Sequence, residues 1–219
     1  MPCFSEGFGY LPTEVGHPKV QGIYSKYLYR TIYGLGRFMK TIIIGAGRGR
    51  RLMPLTEDTP KCFAEIKGRR ILDWLVEAWH AANVAEVVFV GGYQIRRIQQ
   101  DYPLFRFYDN VDWQHNNILA SLFCAETEMN APFACTYSDI LYRPWVVQQL
   151  MKSSHDITLV VDTAWRERYA ARTLHPEDDG EKVLVTGERI TRVSRHIDPT
   201  TAHGEYIGVA KFSRRGAGI

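Results

Sequence analysis

Residues Lys40-Thr-Ile-Ile-Ile44 form an apolar run that stops at once in a loop carrying three glycines in five positions, Gly45-Ala-Gly-Arg-Gly49. Such a run reads as a buried strand. Glycines lack the Cβ that would keep successive backbone N–H groups from converging on an anion such as a phosphate. A strand feeding a glycine loop therefore points to an α/β fold and draws attention to the loop. Two familiar phosphate loops fail here on the same residue. The dinucleotide fingerprint G-x-G-x-x-G requires glycine where Arg50 stands, and the P-loop G-x-x-x-x-G-K-[ST] meets Arg50 five positions after Gly45. A dinucleotide-dependent oxidoreductase is thereby reduced to a remote alternative.

The rest of the chain alternates in the same style. Leu72, Leu75, Val76 and Trp79 share one helical face, and Glu86 to Val90 is a second buried strand closed by Gly91-Gly92. Phe105 to Tyr108 is a short strand, and Asn116 and Asn117 are placed to cap a helix running to about Met129. Pro132 to Tyr137 is a strand, Pro144 suits a first helical turn, and Asp156 to Asp162 is a strand again. Lys182 to Thr186, Arg189 to Arg195 and Glu205 to Phe212 follow, with Gly187-Glu188 as a tight turn. The pattern predicts a Rossmann-like, mostly parallel sheet flanked by helices, with a small antiparallel addition. Residues 39–219 form that domain. Residues 1–38 hold six glycines and no sustained period, so they read as an N-terminal extension, poorly ordered or accessory, with Met39 as a natural start.

Composition narrows the partners. The richest apolar stretch, Ile71 to Ala82, is broken by Asp73, Glu77 and His80 and falls short of the roughly 18 residues a bilayer demands. A net charge of +3 from 27 basic and 24 acidic residues is too balanced for a protein that grips a nucleic-acid backbone. Neither a membrane nor nucleic acid is an expected partner. Cys3, Cys62, Cys124 and Cys135 have no metal spacing and read as reduced thiols in a cytoplasmic protein.

The loop continues through a longer motif: Ala46, Gly47, Gly49, Arg51, Leu52, Pro54, Leu55, Thr56, Pro60 and Lys61. These match the string A-G-x-G-[ST]-R-L-x-P-L-T-x-x-x-P-K, with Arg50 replacing the small hydroxyl residue. The chain thus resembles the nucleoside-triphosphate transferases, the superfamily of MobA-like and sugar-phosphate nucleotidyltransferases. Asn116-Asn117-Ile-Leu-Ala-Ser121-Leu is similar to a stretch of the phosphocholine and aminoethylphosphonate cytidylyltransferases. The resemblance covers about residues 39–212. It implies transfer of a nucleotidyl group, most simply CMP from CTP, to a phosphorylated acceptor such as phosphocholine, aminoethylphosphonate or a sugar 1-phosphate.

A phosphate monoester has a second pKa of about 6 and needs no general base at neutral pH. The demand falls on positioning and charge stabilisation. The expected nucleotide-binding set is Gly45, Ala46, Gly47, Gly49, Arg51, Lys61, Asn116, Asn117 and Ser121. Within it, Arg51 is suited to the outer phosphates and Lys61 to the α-phosphate. Asp139, just past a strand, is the expected ligand for Mg²⁺, although an Asx turn before the Pro144 helix would look the same. Asp162, Trp165, Tyr169, Glu205 and Tyr206 supply carboxylates and aromatic faces for an acceptor head group.

The resemblance also implies a family that continues beyond the strand at Glu205–Phe212 and carries a second metal-binding aspartate there. No aspartate follows Glu205 in this chain. Two expectations stay open: an active transferase using Asp139 with another carboxylate, or a protein truncated at the C-terminus that binds nucleotide without turnover. For the other end the expectation is definite. Removing residues 1–38 should leave Tm nearly unchanged, because a segment without apolar periodicity buries little area at roughly 25 cal/mol per Å². A fall of several degrees in a thermal melt would show that it packs on the core.

Overall fold

The structure is a computed structural model that describes residues 39–170 and 177–218. The expectations for residues 1–38 lie outside the described residues. The elements run as β1 (Lys40–Gly45), the short hairpin β2 (Glu65–Ile66) and β3 (Arg69–Arg70), α1 (Ile71–Ala81), β4 (Glu86–Gly91), α2 (Ile95–Asp101) and β5 (Arg106–Asp109). Then come α3 (Ile118–Phe123), β6 (Phe133–Tyr137), α4 (Pro144–Lys152), β7 (Ile157–Asp162), α5 (Trp165–Ala170), β8 (Lys182–Thr186), β9 (Arg189–Ser194) and β10 (Gly204–Phe212).

One sheet dominates. Its order is β5-β4-β1-β6-β10-β8-β9, with β7 paired to β10. β1 lies between parallel neighbours, Ile42 opposite Val88 on one side and Cys135 on the other. β5 extends the parallel set beyond β4. The fold is the expected Rossmann-like sheet, and the antiparallel strands enter it more deeply than an appendage would. β10 runs antiparallel between β6 and β7, from Val209 opposite Thr136 to Phe212 opposite Phe133 and Ile157. Its register against β7 shifts between Tyr206 and Ala210, and on the other edge its first residues pair with β8 in place of β6. Gly208 makes that bend. Its φ is +75°, and a Cβ there would lie 2.2 Å from the Tyr137 ring, so a side chain is excluded by both conformation and space.

The alternation of each strand sorts the core onto two faces. Ile42, Ile44, Val88, Val90, Phe133, Cys135 and Ala210 pack together beneath Leu122 of α3. On the other face Ala134 and Val209 meet Trp79 of α1 and Val147 and Leu150 of α4. Leu72, Leu75, Val76 and Trp79 are all buried, as their spacing predicts. Trp79 satisfies its indole by donating to the Tyr142 hydroxyl at 2.8 Å, which in turn donates to Thr136 Oγ1 at 3.1 Å. Among the described residues no helix is long and apolar enough to cross a membrane.

The helix expected to reach Met129 ends at Phe123, and a tighter 3₁₀ stretch covers Glu126–Asn130. The tightening brings Glu128 under the N-terminal ends of the parallel strands. There its carboxylate accepts from Lys40 Nζ at 2.6 Å, Arg106 Nη1 at 2.6 Å and the Tyr108 hydroxyl at 2.9 Å. Burial opposes ionisation of Glu128, but the bonds from Arg106, Lys40 and Tyr108 prevail and hold its pKa at about 2. A depressed carboxylate stabilises the fold above its unfolded pKa, and this contribution is lost as pH falls through the folded value. The window here runs from about 4.5 down to about 2, and the effect is on the order of 3 kcal/mol. Glu128→Gln should therefore unfold at lower urea than the parent at pH 7 and lose less stability than the parent between pH 4.5 and 2. Parallel pH profiles for the two proteins would rule this role out.

Candidate active site

The C-terminal ends of the parallel strands face the opposite rim from Glu128, and the glycine loop leaves from there. Ala46 is buried and its carbonyl accepts from Tyr93 N at 2.9 Å, tying the loop to the turn after β4. Gly47 has nothing within 4 Å of a built Cβ. The N–H groups of Gly47, Arg48 and Gly49 donate to no acceptor among the described residues. Three successive donors without a protein acceptor are what an anion requires. Gly49 has φ +71°, and its carbonyl accepts from Leu52 N and from Thr56 Oγ1, each at 2.9 Å. Beyond it the chain is pinned from α2 and the turn before it: the Tyr93 hydroxyl donates to Glu57 O, and Arg97 donates to Asp58 O.

The pinned loop delivers two cations. Lys61 starts a single 3₁₀ turn, its stem packed over Gly49, and its ammonium pairs with the Asp139 carboxylate. Asp139 follows β6, whose end is fixed by Ser138 N donating to Ile44 O at 3.0 Å. Arg51 reaches across to Asp179 at 3.1 Å, joining the loop to the segment before β8. Lys61, Asp139, Arg51 and Asp179 all line one broad open cleft of about 1520 Å³.

Asp162, Tyr169, Glu205 and Tyr206 line the same cleft. Asp162 is engaged by Arg168 and by Ala164 N at 3.0 Å, and Glu205 accepts from the Tyr169 hydroxyl at 2.6 Å. Trp165 differs from its expected role. It is 1% exposed and packs edge-on against Tyr169 at 5.6 Å, so its faces are closed to a head group. A six-residue helix does not declare in its sequence which side meets the sheet.

Asn117 Oδ1 accepts from Ala120 N at 3.0 Å as the cap of α3. Asn116 and Ser121 both turn to Asn110, a residue the sequence reading passed over. The two amides exchange hydrogen bonds at 2.9 and 2.8 Å, and Asn110 also donates to Ser121 Oγ at 2.8 Å. Asn110 follows β5, so the strand-end argument that found Asp139 would have found it too. Tyr137, Glu181 and Arg195 also line the cleft and were not singled out.

With this geometry in place, comparison with known proteins is direct. Residues 41–203 match the MobA-like NTP transferase domain. The chain is 32% identical over 185 residues to the CTP:phosphoglutamine cytidylyltransferase of Campylobacter jejuni, covering 80% of this chain and 73% of that protein. It is 23% identical over 186 residues to the choline-phosphate cytidylyltransferase of Streptococcus pneumoniae, covering 77% and 80%. Among solved structures, the inositol-1-phosphate CTP transferase from T. maritima has a TM-score of 0.67 at 21% identity, over 84% of this chain and 74% of that one. That likeness supports the fold.

The loop geometry yields a direct test. An alanine at position 49 would take up a left-handed conformation and place its Cβ 2.9–3.0 Å from the Lys61 stem. Gly49→Ala should lower stability by about 1–2 kcal/mol, read as a lower urea midpoint. Coincident unfolding curves would show that the loop does not hold this form.

Proposed function

The chain belongs to the family of MobA-like NTP transferase domains, and from that premise we propose that it transfers CMP from CTP to a phosphorylated small-molecule acceptor. The observation that carries the proposal is the meeting of Lys61 and Asp139 at the end of the glycine loop, in one cleft with Glu205, Tyr206 and Asp162. Two relatives bearing the name cytidylyltransferase support CTP as the donor, one for phosphoglutamine and one for choline phosphate.

In the proposed reaction an acceptor phosphate oxygen attacks the α-phosphorus of CTP. One P–O bond forms there, the bond to the α,β-bridging oxygen breaks, and its electron pair leaves with pyrophosphate. No proton has to move, since the attacking oxygen is already ionised. The N–H groups at Gly47–Gly49 would cradle phosphate oxygens, and Arg51 would brace the outer phosphates with its planar fork. Lys61 would stabilise charge developing at the α-phosphate. The base would lie beside Asn116 and Asn117, with Ser121 acting through Asn110 to fix the Asn116 amide.

The residues present also fit a divalent cation such as Mg²⁺. No three His, Cys, Asp or Glu side chains among the described residues form a cage, but Asp139 is an accessible carboxylate at the cleft. One carboxylate suits an ion that keeps water and phosphate ligands. When bound, the ion supplies neutralisation of triphosphate charge, and Asp139 would exchange its partner Lys61 for it.

Pyrophosphate release should appear with CTP ahead of the other triphosphates, in the presence of Mg²⁺ and a phosphorylated acceptor. Lys61→Ala should reduce turnover at least about a hundredfold, the scale of one lost transition-state partner. Asp139→Asn should need more Mg²⁺ for half-maximal rate. If every triphosphate and acceptor pairing is silent, the assignment falls.

A further inference from the structure

Cleft charges away from the phosphate loop bear on the acceptor. β8 and β9 form an antiparallel hairpin whose last aligned pair is Lys182 opposite Ser194. Glu181 immediately precedes β8 and Arg195 immediately follows β9, where the chain turns at the open end of the hairpin. Among the described residues Glu181 and Arg195 form no salt bridge with each other or with any other group. Both line the cleft that holds Lys61 and Asp139.

The acid is held in place. Its carbonyl accepts from Tyr206 N at 2.8 Å, and its Oε2 accepts from the Tyr137 hydroxyl at 3.3 Å. The Tyr137 ring is itself seated on Gly208, where no side chain fits, and meets Tyr206 edge-on at 6.3 Å. Burial first, then Glu181, pushes the Tyr137 phenol up, while the Arg195 guanidinium works the other way. All four groups therefore share one corner of the cleft.

We propose that Glu181 and Arg195 select an acceptor bearing both an ammonium and a carboxylate, the head of an α-amino acid, with its phosphoryl group directed toward Lys61. This rests on the transferase reading above and narrows its acceptor. A purely cationic head would satisfy Glu181 and face Arg195 with like charge. A neutral sugar would offer hydroxyl hydrogen bonds to both groups but a countercharge to neither, the weaker pairing for charged groups. A zwitterion satisfies both, and the planar guanidinium can take a carboxylate through two parallel bonds.

The test uses the full chain with CTP, Mg²⁺ and acceptors that differ by one group. O-Phosphoserine carries both charges, phosphoethanolamine lacks the carboxylate, and 3-phosphoglycerate has a hydroxyl in place of the ammonium. Glutamine phosphorylated on its side-chain amide and phosphocholine extend the series at each end. The amino-acid acceptors should exceed both single-charge analogues in kcat/KM by at least about tenfold. Arg195→Leu should raise the KM of the preferred amino-acid acceptor about ten- to a hundredfold, the scale of a charged hydrogen bond. KM for CTP should hold, and Arg195→Lys should recover part of the loss. Turnover that favours phosphoethanolamine or phosphocholine, or an acceptor preference unmoved in Arg195→Leu, overturns the inference and leaves the transferase standing. If no acceptor turns over, the transferase reading fails instead. Calorimetric titration of O-phosphoserine and phosphoethanolamine into parent and Arg195→Leu then decides, equal affinities counting against a zwitterion site.

Discussion

Parallel pairing of β1 with β4 on one edge and β6 on the other is the constraint from which the molecule follows. Parallel neighbours cannot be joined by a tight turn, so each connection must cross the sheet and return. Helices α1, α2 and α3 lie along those connections, and α1 and α3 cover opposite faces. The same rule sends every parallel strand in one direction. The turns after β1, β4, β5 and β6 therefore gather on one rim, and Gly45, Gly92, Asn110 and Asp139 become neighbours although 94 residues separate the first from the last.

The two rims use charge in opposite ways. At the rim where the strands begin, Glu128 is engaged by three donors, and of these Arg106 also holds Glu86. An acid held this firmly fixes the geometry of strand ends and has nothing to offer a ligand. At the rim where they finish, Lys61 and Asp139 form a partly exposed pair, each side chain 32% accessible. Exposed pairs contribute little to folding, so exchanging partners there costs the fold little.

Much of this was legible in the sequence because it is local. The strand at Lys40–Ile44, the apolar face of α1, Pro144 opening α4 and the Gly187-Glu188 turn each follow from a few adjacent residues. The place of Asp139 follows from a strand and the rule for strand ends, and the structure pairs it with Lys61. What escaped was long-range. The position of β10 between β6 and β7 depends on pairings far apart in the chain, and a strand's own pattern does not say which neighbour it takes. Trp165 shows the same limit, since an aromatic residue reads alike whether it lines a cleft or packs beneath one. Asn110 was missed because an isolated asparagine after a strand resembles any turn residue until its partners Asn116 and Ser121 are seen.

The tethers on the loop beyond Gly49 have a thermodynamic consequence. Thr56 is bound to Gly49, Glu57 to Tyr93 and Asp58 to Arg97, so this stretch is held during folding at several points along its length. Ordering a free backbone takes roughly 1–2 kcal/mol per residue. A mobile loop would subtract that sum from the affinity of whatever it closes on. Here the ordering is completed before any ligand arrives. An anion meeting a loop so held would keep its full interaction energy, with no chain left to order.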